Sequence, residues 1–295
     1  MHPFISELLN KKPVITDGAW GTQLQALGLN PGEVPDIWNL TNPEKVFHVA
    51  KSYVDAGSAV ILTNTFGANR FRLAEAEDYS KKVREINKRG VEISLSAAGD
   101  RAYVFASIGP SGKILMMGDI TADDLFFAFS EQAEAIANAG AHAIVIETMS
   151  DIEEAVIAVK AAKQTGLPVV ACMVFDSGKD KDRTMMGNTP EEVAEKLINA
   201  GADIVGSNCG QGIETFVKIC KRLYEASKRP VWIKPNAGLP QVVDGKAVYK
   251  VSPQDFAKYV PEIINSGAGF IGGCCGTNPY FISEIKRTIE SMKSV

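Results

Sequence analysis

Short runs rich in Val, Ile and Ala alternate along the chain with longer stretches in which apolar residues recur every three or four positions. The first pattern is that of buried strands and the second that of helices with one apolar face. Strands are expected at 14–19, 59–66, 103–109, 143–149, 169–175, 204–210, 231–237 and 270–276. Helices are expected at 43–56, 81–98, 122–139, 152–164, 190–200, 213–227, 253–266 and 280–292.

The punctuation supports these boundaries. Thr189-Pro190-Glu191-Glu192 and Ser252-Pro253-Gln254-Asp255 each offer a cap residue, a proline in the first turn and then an acid. Gly57, Gly140, Gly201 and Gly267 each follow a helix and precede a strand, where a left-handed stop is needed. Eight βα units in one uninterrupted run predict an α/β fold, a single (β/α)8 TIM barrel over 1–295. An open doubly wound sheet would more often carry an early Gly-x-Gly-x-x-Gly turn, and the chain has none.

Composition narrows the function classes. The chain has 295 residues, 45% hydrophobic, and its 31 basic against 35 acidic residues give a net charge of -4. No basic block suits a nucleic acid or a membrane surface. The N-terminus lacks a signal-peptide pattern and no apolar run approaches a membrane span, so a cytoplasmic protein is expected. Five clustered cysteines are too few for a disulfide framework and fit metal binding or catalysis better.

The cysteines organise the candidate chemistry. Cys274 and Cys275 stand side by side in Gly272-Gly273-Cys274-Cys275-Gly276-Thr277, and Cys209 ends another apolar run in Ser207-Asn208-Cys209-Gly210. The glycines let the backbone leave strand geometry, so both neighbouring sulfurs can reach one point. In a barrel wound in chain order the sixth and eighth strands flank the seventh, which brings the three thiols and Asn236 together on the rim at the strands' carboxyl ends. Three thiolates suit zinc and leave a fourth tetrahedral position open, as in catalytic sites. Cys172 falls in mid-strand, Cys220 on a helix, and no histidine lies on that rim.

The same rim carries Asp17, Asn64, Thr65, Glu147, Thr148 and Asn208. Asp17 and Glu147 are suited to acid or base work, to metal ligation or to facing a substrate ammonium, whereas Gly18 and Ala19 offer backbone N–H groups to a carboxylate. Together these describe a site for an amino acid carrying a thiol. Three long connections, 18–42, 176–189 and 238–252, follow strands and so can wall the same face; the last reads as a hairpin turning at Asp244-Gly245.

These segments resemble the homocysteine S-methyltransferase family, the zinc barrels that include betaine-homocysteine methyltransferase and the N-terminal module of cobalamin-dependent methionine synthase. The matching stretches are Asp17-Gly18-Ala19 with Gly21-Thr22, Thr63-Asn64-Thr65-Phe66, Ser107-Ile108-Gly109-Pro110, Ile146-Glu147-Thr148-Met149, Asn208-Cys209-Gly210, Pro235-Asn236-Ala237-Gly238 and Gly272-Gly273-Cys274-Cys275-Gly276-Thr277. The resemblance implies Cys209, Cys274 and Cys275 as zinc ligands, Asp17 and Glu147 near the homocysteine ammonium, and the backbone at Gly18 and Ala19 near its carboxylate. It also implies that Asn236 fills the fourth metal position before substrate arrives, with Asn64 and Thr65 among the substrate residues.

The implied activity is methylation of homocysteine to methionine. The asparagine segment favours methylcobalamin on a separate corrinoid protein as donor, since the chain ends after its eighth helix without folate or cobalamin modules. A small donor such as S-methylmethionine or betaine is the alternative, and a non-catalytic zinc module that presents a thiol is a third. A Schiff-base lyase using Lys234 as its amine, with Gly272-Gly273 cradling phosphate, would leave the three rim thiols unexplained.

Overall fold

The computed structural model describes residues 1–11, 13–76, 79–243 and 246–292. The barrel strands are β1 (Val14–Ile15), β2 (Val60–Ile61), β3 (Tyr103–Ile108), β4 (Ala143–Met149), β5 (Val169–Met173), β6 (Ile204–Gly212), β7 (Val231–Asn236) and, after a hairpin formed by β8 (Gln241–Val243) and β9 (Lys246–Val248), β10 (Ala268–Ile271). They pair in parallel in the order β1-β10-β7-β6-β5-β4-β3-β2. Between β1 and β2 the Ala59 N–H donates to the Ile15 carbonyl at 2.8 Å, bringing the two ends of the sheet together. The predicted α/β architecture, a (β/α)8 TIM barrel, is the observed one.

Helices follow the strands as the apolar periodicity requires. Pro43–Ala56 and Ile213–Ser227 have the expected bounds, and the capping box at Thr189 is formed, with the Glu192 N–H donating to the Thr189 hydroxyl and Glu192 accepting from the Thr189 N–H. Gly57, Gly140, Gly201 and Gly267 all take positive φ at the helix stops. The helix expected at 253–266 is instead two pieces, Pro253–Ala257 and Val260–Asn265. Pro261 is the reason: it has no N–H to continue a ladder and is accommodated only in the first turn of a new helix.

Two apolar layers fix the barrel. The larger lies between strands and helices and contains, for example, Ile144, Ala171, Val205 and Phe216. The second fills the lumen with Val145, Val170, Phe105, Trp232 and Phe270, and the N-terminal helix Pro3–Leu8 adds Ile5 and Leu8 to it. The rings of Phe105 and Trp232 stack with centroids 5.9 Å apart, and those of Trp232 and Phe270 lie 5.0 Å apart. Side chains alternate along a strand, so two residues beyond Phe105, Val145 and Trp232 the lumen receives Ser107, Glu147 and Lys234. The aromatic layer thus forms a dry floor for a polar one.

Candidate metal and acceptor site

The three thiols converge. Cys274 Sγ lies 3.4 Å and Cys275 Sγ 3.7 Å from Cys209 Sγ, and all three sulfurs fall within 4.8 Å of one another. Zinc–sulfur bonds of about 2.3 Å in a tetrahedron place sulfurs about 3.8 Å apart, so the cluster has the dimensions of a metal site. Its protonation is interdependent: hydrogen bonds shared with Cys274 and Cys275, then burial, raise the Cys209 thiol, whereas hydrogen bonds from Cys209 and Cys274 lower Cys275. Three crowded thiols do not all ionise without a cation among them.

The fourth position has a candidate in Asn236, whose Nδ2 donates to the Gly210 carbonyl at 2.8 Å while its buried Oδ1 has no hydrogen-bond partner among the described residues. A buried amide oxygen without a donor carries a desolvation penalty that a metal ion would relieve. Three thiolates are a donor set that suits zinc. Cys172, in the lumen layer, and Cys220, between strands and helices, are buried and do not join the triad.

Backbone geometry around the thiols is unusual. Cys209 has φ 62° and Thr148 φ 61°, the left-handed region that residues with a Cβ avoid at a cost of roughly 1–2 kcal/mol. Asn208 holds these two turns together. Its Oδ1 accepts from the Thr148 N–H at 2.8 Å, and its Nδ2 donates to Thr148 Oγ1 at 2.7 Å, with Glu147 Oε2 at 3.5 Å and Cys274 Sγ at 3.8 Å also in reach. After the thiols, Gly276 takes φ +81°, and the space beside it belongs to Tyr249, 2.2 Å from where a Cβ would stand. Burial and then the thiols of Cys275, Cys209 and Cys274 push the Tyr249 hydroxyl up to about 12. The connection carrying Tyr249 contains the predicted hairpin, β8 pairing with β9; its turn residues Asp244-Gly245 lie outside the described residues.

A cavity of about 590 Å³ opens from the thiols towards the ends of β1 to β4, lined by Gly18, Ala19, Asn64, Glu147 and Lys234 among others. Glu147 accepts from the Ser107 hydroxyl, and burial, partly countered by Lys234, raises its carboxyl to about 7. Asn64 donates to the Pro35 carbonyl at 2.8 Å and so ties the first long connection to the rim. Thr65 is fully buried and donates to the Ser107 carbonyl at 2.7 Å. The Ala19 N–H already donates to Thr277 Oγ1 at 3.1 Å.

Asp17 is engaged on both oxygens. Oδ1 pairs with the Lys234 ammonium, and Oδ2 accepts from Trp20 Nε1 at 2.8 Å and the Leu62 N–H at 2.7 Å. The carboxylate thereby occupies the gap between the ends of β1 and β2. Burial lowers the Lys234 ammonium, but Asp17 and Glu147 outweigh it and the net shift is upward. Ser107 and Tyr249 have no role at this site in the sequence alone, and Lys234 enters there only as the amine of the rival lyase. A lysine amid Val231-Trp232-Ile233 signals a buried charge, and Ser107 follows Phe105 with inward parity; nothing in the sequence marks Tyr249.

The thiol triad, with dimensions that could hold a metal ion, lies beside a carboxylate-lined cavity at the carboxyl ends of the barrel strands. The chain belongs to the homocysteine S-methyltransferase family, whose sequence profile matches residues 14–289. It is 28% identical to the methionine synthases of Mycobacterium tuberculosis and Mycobacterium leprae over 97% and 96% of its length, and it spans about a quarter of the length of these relatives. Its fold is that of the homocysteine methyltransferase MmuM from Escherichia coli, solved in oxidized and metallated forms. Each superposes with a TM-score of 0.79 at 22% identity, covering 97% and 96% of this chain and 99% of that one. Among the described residues no helix is long and apolar enough to cross a membrane.

Proposed function

We propose that this chain is a zinc-dependent S-methyltransferase that takes homocysteine as acceptor and yields methionine. The observation that carries the reading is the triad of Cys209, Cys274 and Cys275, with two sulfur separations of 3.4 and 3.7 Å at the mouth of a barrel of this family. The three cysteines would hold the zinc, and Asn236 Oδ1 would take its fourth position until the substrate thiol replaces it. Zinc at this place supplies the Lewis acidity that keeps an alkyl thiol, ordinarily titrating near ~8.5, deprotonated at neutral pH.

The remaining residues position the acceptor. Glu147, oriented by Ser107 and Asn208, faces the cavity and takes the substrate ammonium. Asp17, bound to Lys234, supports the cavity wall rather than meeting the ammonium itself. The aromatic floor of Phe105, Trp232 and Phe270 keeps water from the lumen beneath. Holding the acceptor sulfur and a donor methyl in line is then the main source of acceleration.

For the donor, a methylcorrinoid presented by a separate protein or module fits the relation to the methionine synthases, each much longer than this chain. A second reading, direct transfer from a sulfonium or betaine, draws on the outer cavity, where Glu33 and the aromatic rings of Trp20 and Phe66 could face a small onium cation, beside an Arg72–Glu75 ion pair. A donor screen decides between them. Slow methionine formation from homocysteine and free methylcobalamin, accelerated by a corrinoid protein and absent with S-methylmethionine or betaine, is the expected result. Rapid turnover of S-methylmethionine alone would establish the second reading, and zinc-loaded protein that binds homocysteine but forms no methionine with any of these donors would leave only a thiol-binding role.

A further inference from the structure

The acceptor cavity contains a buried cation for which the reading above has no direct use. Lys234 is 2% exposed and lines the cavity beside Glu147 and Cys274. An ammonium has three N–H donors. Within the described residues Lys234 has one hydrogen-bond partner, Asp17 Oδ1. Asp17 is itself held on both oxygens by Trp20, Leu62 and Lys234, so it fixes the lysine rather than reaching into the cavity. One of the backbone donors expected for a substrate carboxylate, the Ala19 N–H, is spent on Thr277.

We propose that Lys234 is a specificity determinant of the acceptor site: fixed by Asp17, its ammonium directs its remaining N–H donors at the carboxylate of the thiol substrate, while Glu147 takes the ammonium. This rests on the reading of the site as a thiol-acceptor site. A cavity whose inner wall presents the Glu147 carboxyl and an ammonium with N–H donors to spare selects a zwitterion over a simple thiol, because a ligand missing either charge leaves one of these buried groups less well satisfied. The covalent step is unchanged; the lysine acts on which thiol is held.

The test measures binding of three thiols to zinc-loaded protein by titration calorimetry: homocysteine, 3-aminopropane-1-thiol, which lacks the carboxylate, and 4-mercaptobutanoate, which lacks the amine. In the unmodified protein, loss of the carboxylate is expected to weaken binding roughly ten- to hundredfold. Lys234→Met alone leaves Asp17 buried and unpaired and can fail to fold, so the decisive variant is the double Asp17→Asn/Lys234→Met, in which both charges are removed together. In it, homocysteine and 3-aminopropane-1-thiol should bind within about threefold of each other, with 4-mercaptobutanoate still disfavoured through Glu147. Equal affinity for homocysteine and 3-aminopropane-1-thiol in the unmodified protein, or full discrimination kept by the double variant, overturns the assignment of Lys234. Failure of zinc-loaded protein to bind any of the three overturns the acceptor reading itself, a separate outcome from either of these.

Discussion

The Ser107 hydroxyl donates to Glu147 Oε1 at 2.5 Å, joining the carboxyl end of β3 to that of β4 inside the barrel lumen. A hydroxyl donor to a carboxyl oxygen favours its ionised form, against burial that drives Glu147 up to about 7. Ionised Glu147 holds an ammonium and neutral Glu147 does not. Homocysteine should therefore gain affinity relative to amine-free 4-mercaptobutanoate as pH rises through about 7, a ratio from which ionisation of the thiol itself cancels. Ser107→Ala removes a stabiliser of the carboxylate and should move that midpoint upward. A ratio flat from about pH 6 to 8 would take Glu147 out of the ammonium role.

Metal content follows from the thiol geometry. The protein is expected to hold about one zinc. Cys209→Ser, Cys274→Ser or Cys275→Ser should each lose most of it, and chelation should abolish thiol binding while the far-ultraviolet circular dichroism persists, because the lumen and helix layers pack without the site. X-ray absorption should find three sulfurs and one oxygen or nitrogen before homocysteine is added, and four sulfurs after. Full zinc occupancy in a Cys275→Ser protein contradicts the ligand set.

Asn208 tests how far the site depends on its supports. Asn208→Ala leaves the Thr148 N–H without its acceptor at a position already held at φ 61°, and removes the donor near Cys274. The expected cost is about 1–3 kcal/mol of stability from denaturant unfolding. Zinc affinity in a competition titration should fall roughly 10- to 100-fold. Loss of stability with zinc affinity unchanged would confine Asn208 to holding the turn.

Asp36 gives a stability prediction of opposite pH sense to an ion-paired acid. It is buried, accepts from the Gly67 N–H at 3.0 Å, and burial raises its carboxyl from 3.8 to about 7. The folded state thus holds its proton more tightly than the unfolded chain, so stability is lost as pH rises from about 4 to about 7. Asp36→Asn keeps an acceptor for Gly67 and removes this loss. Its Tm should exceed that of the unmodified protein at pH 8 and converge with it near pH 4, a difference of order ~2–4 kcal/mol in stability for a shift of this size. A variant less stable at both pH values would mean that Asp36 is ionised and paired in the folded protein.

The apolar alternation and the helix-stop glycines determined eight βα units, and from these the barrel, since only closure or covering buries strands that are apolar on both faces. They also determined that Cys209, Asn236 and the Cys274-Cys275 pair share one rim, because every parallel strand delivers its carboxyl end to the same face. What the tertiary structure decided is the pairing across the lumen. Lys234 and Asp17 are 217 positions apart, and their side chains meet because the stagger of the closed barrel sets β7 and β1 at matching heights above the Trp232 layer. The turn that places Asn208 beside Thr148 and the approach of Tyr249 to the thiols are of the same kind. Periodicity reports which face a residue occupies; which buried charge meets which is fixed by strand stagger and packing between distant segments, and neither leaves a local mark in the sequence.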